Sequence, residues 1–142
     1  MINIFLHNFL IFCYKFATIY MSKKDITTAE DIALWQLSFY KKLLANEITA
    51  PKFENLDLPA HMPRVNAFWE FVLLDKSGYT TNVFDKHIHL NLEKIHFEKW
   101  MQFFKETTNE MFEGANANIA LERVKLIATT FYHKISGEYR SF

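Results

Sequence analysis

Chain breakers are sparse in this sequence: three glycines and three prolines are spread over 142 residues. An all-β domain needs frequent tight turns, and those turns draw on Gly and Pro. The scarcity therefore favours long helices joined by short connections. The length is that of one domain. A domain of this size buries roughly 68–70% of its unfolded surface, enough for a core without staples. Half the residues are hydrophobic and 17% are aromatic, led by 15 Phe. Aromatic side chains line pockets for flat apolar ligands, but they also simply fill cores, and composition alone favours the core.

The 16 basic and 16 acidic residues cancel. With no basic surplus to neutralise a phosphate backbone, nucleic acid is not an expected partner. The single cysteine, Cys13, excludes an intrachain disulfide and fits a reducing compartment, so a cytoplasmic location is expected.

Residues 1–20 stand apart from the rest. They are apolar, with Asn3, His7, Asn8 and Lys15 interspersed. The uninterrupted apolar run Phe9–Tyr14 is shorter than the about 20 residues a bilayer requires. A basic n-region and a small-residue cleavage site, the marks of a secretory signal, are not evident. Met21 opens the polar run SKKDITTAED. Met21 is read as the true start and residues 1–20 as an upstream mis-translation, the other readings being a membrane anchor or an extra packed helix. A membrane is not an expected partner unless that extension is retained.

From residue 21 onward the chain reads as one helical domain. Thr27 three residues before Glu30 forms a capping-box pattern, and apolar residues from Ile32 to Leu44 predict a helix of about four to five turns. Pro51 falls in the break that follows. Asp57-Leu58-Pro59 opens a second helix, with Val65, Phe68, Trp69, Val72 and Leu73 as its stripe and Ser77-Gly78 as its stop. His61, four residues before Val65, shares that face. A short helix is expected around Val83–His89. A third long helix runs from about Glu93 to Phe112, with Gly114 ending it. A fourth runs from about Asn116 to Ile135, with Ile119, Val124, Ile127, Ala128, Phe131 and Ile135 facing inward.

Six histidines are the only concentration of ligating chemistry: His7, His61, His87, His89, His96 and His133. No HExxH, no Cys-x-x-Cys and no pair of Glu-x-x-His helices accompany them, and no Gly-rich phosphate loop is present. No nucleophile elbow supports a Ser/His/Asp triad, though spacing alone leaves one open. A lone helical His is usually a surface or satisfied core residue.

The succession of motifs is more specific than any single histidine. Phe39-Tyr40 is followed by Pro51-x-Phe53, then by His61-Met62-Pro63-Arg64-Val65-Asn66-Ala67-Phe68-Trp69 and Leu73-Leu74. Tyr79 precedes His87 by eight residues, His96-Phe97-x-x-Trp100 leads into Phe103-Phe104, and Arg123-x-x-x-Ile127-Ala128 lies in the last helix. This order resembles the group III truncated haemoglobins from about residue 30 to residue 135. It departs from the family where Leu58-Pro59-Ala60 replaces an acidic-aromatic approach to His61, and where the Phe53–His61 linker is short.

The resemblance implies an all-α fold, a truncated globin-like two-on-two helical sandwich around haem b (iron protoporphyrin IX). It implies His87 as the proximal iron ligand, with His89 as the competitor. It places Tyr40, His61 and Trp100 on the distal side, where phenol and indole donors meet a bound diatomic ligand. Phe53, Val65 and Phe68 become pocket walls, Tyr79 a further cofactor neighbour, and Arg64 and Lys86 partners for the haem propionates. The implied function is binding of O2, NO or a related diatomic ligand, with oxygen transport, nitric oxide dioxygenation or peroxidase-like chemistry as its uses. Either reaction needs an external reductase, because no flavin or nicotinamide fingerprint is present. The competing reading is a haem-free helical interaction module in which Phe and Trp are core alone.

Overall fold

The computed structural model describes residues 22–84, 87–137 and 142. The expectations for residues 1–20, and the role given to Lys86, lie outside these residues. Among the described residues every regular element is helical: α1 (Ala29–Ala45), α2 (Leu58–Leu74), α3 (Lys94–Met111) and α4 (Ala115–Ser136), with 3-10 turns at Ala50–Phe53 and Ile88–Leu90. The all-helical, globin-like expectation holds.

Helix α1 starts one residue later than the sequence pattern predicts. Thr28, not Thr27, is its cap: the Thr28 hydroxyl accepts from the Asp31 N–H at 3.1 Å, and the Asp31 carboxylate accepts from the Thr28 N–H at 3.1 Å. Asp31 displaces Glu30 from this role because its short side chain is buried under the chain entering the helix, where Lys24 pairs with it. Glu30 stays in solvent.

In α2, Asp57 accepts from the Ala60 N–H at 3.1 Å and Pro59 sits in the first turn, as the sequence indicates. Pro63 lies inside the helix and cannot donate to the preceding turn. The helix stops at Leu74, before Ser77-Gly78, because Asp75 takes a left-handed conformation (φ 53°) and closes the end onto the Glu70 carbonyl. Asp tolerates that region better than most residues with a side chain.

The helix expected around Val83–His89 spans residues 85–86, which lie outside the described residues. A turn at Val83-Phe84 is followed by the 3-10 turn Ile88–Leu90, which Asn91 ends in a left-handed conformation. Gly114 also differs: it caps the start of α4 rather than the end of α3, which finishes at Met111. Gly114 has φ +149°, and a Cβ there would lie 2.4 Å from the Asp25 side chain. That close approach lets Asp25 accept from the N–H groups of Asn116 and Ala117, both at 2.9 Å.

Two helix pairs, α1–α2 and α3–α4, make the body, and α1 also packs on α3. Trp35 is fully buried at their junction, edge-on to Trp69 of α2 (5.1 Å) and Phe104 of α3 (5.0 Å). Its indole N–H donates to Thr108 at 3.1 Å. On α4 the buried face is Ala117, Ala120, Val124, Ala128 and Tyr132. Ile119, expected to face inward, is 45% exposed because the alanines on either side of it set the register of the packed face.

Two acids, the buried Asp31 and the half-buried Asp25, tie fold stability to pH. Burial opposes the charged form of Asp31, but Lys24 and the Thr27 and Thr28 donors outweigh it and hold its pKa at about 2. Burial likewise opposes the charge on Asp25, and the backbone N–H groups around it, led by Asn116 and Ala117, hold its carboxyl below the ordinary range. A carboxyl whose pKa is depressed by folding contributes stability that is complete above the unfolded value near 3.8 and is lost as pH falls toward the folded value. Urea midpoints should therefore fall between about pH 4 and pH 2, less steeply in Asp31→Asn, and Thr28→Ala should cost about 1 kcal/mol at neutral pH. An acid limb as steep in Asp31→Asn as in the unaltered chain would contradict this assignment.

Candidate functional site

A cavity of about 650 Å³ opens between α1, α2, the segment around Tyr79–Leu92, and the facing sides of α3 and α4. Its volume lies within the roughly 300–1,000 Å³ of small-molecule sites. The described residues to which the resemblance gives a site role line it: Tyr40, Phe53, His61, Arg64, Val65, Phe68, Tyr79, His87 and Trp100. Phe53, Val65 and Phe68 are partly buried and apolar, as expected of walls. His89 is exposed and does not border the cavity.

The polar groups sit on two walls. On one, Tyr40 projects from α1 and His61 from the first turn of α2, and the phenol oxygen lies 2.8 Å from His61 Nε2. The Asp57 cap and Pro59 start α2 where His61 reaches this position, so the departure at Leu58-Pro59-Ala60 does not displace it. Burial pushes the Tyr40 phenol well above its ordinary pKa, so it remains a hydroxyl, able to donate and to accept. Burial also lowers the pKa of His61, with the charges of His87 and Arg64 adding to the effect. Trp100 reaches the cavity from α3 and packs near Phe39 and Phe104, each at 6.1 Å.

On the other wall stands His87. Its Nδ1 lies 2.6 Å from the Val83 carbonyl. An imidazole that donates Nδ1–H to a carbonyl keeps the proton there and leaves Nε2 with a free lone pair. The ring of Phe131 from α4, 5.7 Å away, flanks it. The wall beside Tyr79 is closed by its ring against Phe68 at 5.4 Å and Phe71 at 6.1 Å.

Six polar cavity residues escape sequence reasoning: Gln36, Thr49, Lys52, Asn55, Thr81 and His96. Lys52 donates to the Asn91 carbonyl at 2.9 Å and borders the cavity. His96 is buried, and its Nδ1 accepts from the Glu93 N–H at 2.9 Å, so that histidine is spent on starting α3 while its ring meets the cavity. Thr49 donates to the Leu43 carbonyl at 2.6 Å. Gln36 lies one helical turn before Tyr40, a spacing that puts both on one face and was the available signal. Lys52 had no such signal, because a 3-10 turn after Pro51 gives no periodicity.

No family model matches the chain. A curated relative, the group 3 truncated hemoglobin ctb of Campylobacter jejuni, is 26% identical over 120 residues, covering 80% of this chain and 94% of the relative. The crystal structure of a group III truncated hemoglobin from Campylobacter jejuni is similar at a TM-score of 0.72 and 27% identity, over 80% of this chain and 94% of that one.

The depressed His61 pKa makes a checkable statement. A histidine that folding makes harder to protonate contributes stability above its unfolded value near 6.5 and loses it as pH falls below that value. NMR titration of the cofactor-free chain should place His61 below 6.5, and Arg64→Ala should move it upward. Titration at or above 6.5 would contradict the burial of this ring.

Proposed function

We propose that this chain, which belongs to the group III truncated haemoglobins, holds its haem between His87 and the Tyr40–His61 pair and binds O2 or NO on the Tyr40 side. The observation that carries this reading is the opposition of two kinds of imidazole across one apolar cavity. His87 is oriented by a carbonyl with Nε2 left over, and His61 is bonded to a buried phenol.

The residues present fit the cofactor. No group of three or more His, Cys, Asp or Glu gathers among the described residues, and a porphyrin needs only one axial side chain because it brings four nitrogens itself. The walls are largely aromatic and aliphatic, while Arg64 and Lys52 border the cavity as partners for carboxylates. The sequence lacks the Cys-x-x-Cys-His of covalent attachment, so the cofactor is read as haem b. Lys86 remains a further propionate partner on this reading.

Bound haem supplies an iron centre that takes a diatomic ligand and exchanges electrons with it. The chain does the rest. The Val83 carbonyl fixes the His87 ring and raises its basicity. Tyr40 offers a hydroxyl that burial keeps protonated, and Trp100 an indole N–H, both suited to a ligand that gathers negative charge. Phe53, Val65 and Phe68 keep water from the ligand. These features suit nitric oxide dioxygenation, in which NO, O2 and one electron give nitrate, the electron coming from an external reductase. The neutral His61 beside Tyr40 also suits a peroxidase-like reaction, because an uncharged imidazole can take and return a proton.

In Tyr40→Phe the O2 dissociation rate should rise about tenfold or more, as expected for loss of a bond to a charged acceptor, while CO dissociation changes little. NO consumption in the presence of O2 and reductant should fall in step, with nitrate as the product. Equal O2 dissociation from both proteins would remove Tyr40 from the ligand's surroundings, and ligand binding without nitrate formation would leave a carrier rather than an enzyme.

A further inference from the structure

We propose that Gln36 is a fourth polar group of the ligand side of the cavity, its amide donating a hydrogen bond to O2 held there. The proposal rests on the haem-globin reading above and extends it to a residue that reading does not use.

Gln36 is 1% exposed, yet its side chain lines the cavity. Its Nε2 has no hydrogen-bond partner. Leaving a buried donor unmade is costly, and buried polar groups in folded chains are otherwise almost always satisfied. An apolar side chain of the same length would fill this wall without that cost. The only other such atom among the described residues is the acceptor Asn66 Oδ1, which does not border the cavity.

No protein acceptor lies within hydrogen-bond reach of Gln36 Nε2, and the side chains lining this part of the cavity do not supply one. Phe39, Leu43, Trp69 and Phe104 are apolar or carry only a donor. Thr108 is taken by Trp35, and the Thr49 hydroxyl is turned to the Leu43 carbonyl. The missing acceptor is therefore a guest of the cavity. Tyr40, one turn further along α1 and on the same face, is already engaged with His61 at 2.8 Å. While that bond persists, the Gln36 amide is the uncommitted donor on the α1 wall. A neutral amide donor favours O2, which gathers negative charge when bound, over CO, which gathers less.

The test uses the full chain loaded with haem and compares it with Gln36→Met, which keeps side-chain length and removes the amide. The Soret band should be unchanged. The O2 dissociation rate should rise about threefold to tenfold, the loss of one ordinary hydrogen bond, while CO dissociation stays within about twofold. The haem-free variant should melt at the same temperature or higher, because its unmade donor is gone. O2 dissociation within about twofold of the unaltered chain, together with a higher melting temperature, would overturn the proposal and leave Gln36 a buried liability. Should Gln36→Met fail to fold, Gln36→Asn draws the amide back by one methylene. A faster O2 dissociation there supports the proposal, and an unchanged rate overturns it. A chain that takes up no haem overturns the functional reading and this proposal together, whereas a haem-loaded chain indifferent to Gln36 overturns this proposal alone.

Discussion

The indole of Trp35 holds the site's geometry. It is fully buried where α1, α2 and α3 meet, with Trp69 and Phe104 edge-on at about 5 Å and Thr108 accepting its N–H. Each of those helices carries one of the polar groups lining the cavity: Tyr40 on α1, His61 on α2, Trp100 on α3. Edge-to-face aromatic pairs favour particular ring orientations beyond simple burial, and the hydrogen bond adds a direction that an all-aliphatic joint would lack. The distance between a phenol and an imidazole on separate helices is in this way set by packing a turn or more away.

The two walls of the cavity are held by different means. The Tyr40–His61 wall rests on long helices and a shared aromatic core. The His87 wall rests on a short 3-10 turn, a carbonyl four residues upstream and one flanking ring from α4. A rigid wall suits groups that must meet a small ligand at fixed distance. On the proposed function His87 would be an axial ligand, which the metal also positions, so local restraint would be sufficient there.

Much of this was legible from residue order. The long helices follow from apolar spacing and from the scarcity of Gly and Pro, and Tyr40, His61, His87 and Trp100, far apart in sequence, border one cavity. The errors have a common cause. Thr27-Glu30 and Thr28-Asp31 are equally good capping signals on paper, and the choice falls to Asp31 because Lys24 and burial favour it. Gly114 reads as a helix end until Asp25, far off in sequence, is seen to need its missing side chain. Ile119 reads as core until the neighbouring alanines are seen to carry the packed face. Gln36 had only its one-turn spacing from Tyr40 as a signal, and the place of His96 in the cavity arises only in three dimensions.

The central claim is that His87 carries the iron of a haem seated in this cavity. Titration of haem into the full chain, followed by the visible spectrum and repeated with His87→Ala, tests it most directly. The account predicts an intense Soret band saturating at one haem per chain, and its loss or shift to a weaker-ligand form in the variant. A variant spectrum identical to that of the unaltered chain, or a folded chain that takes up no haem, would contradict it.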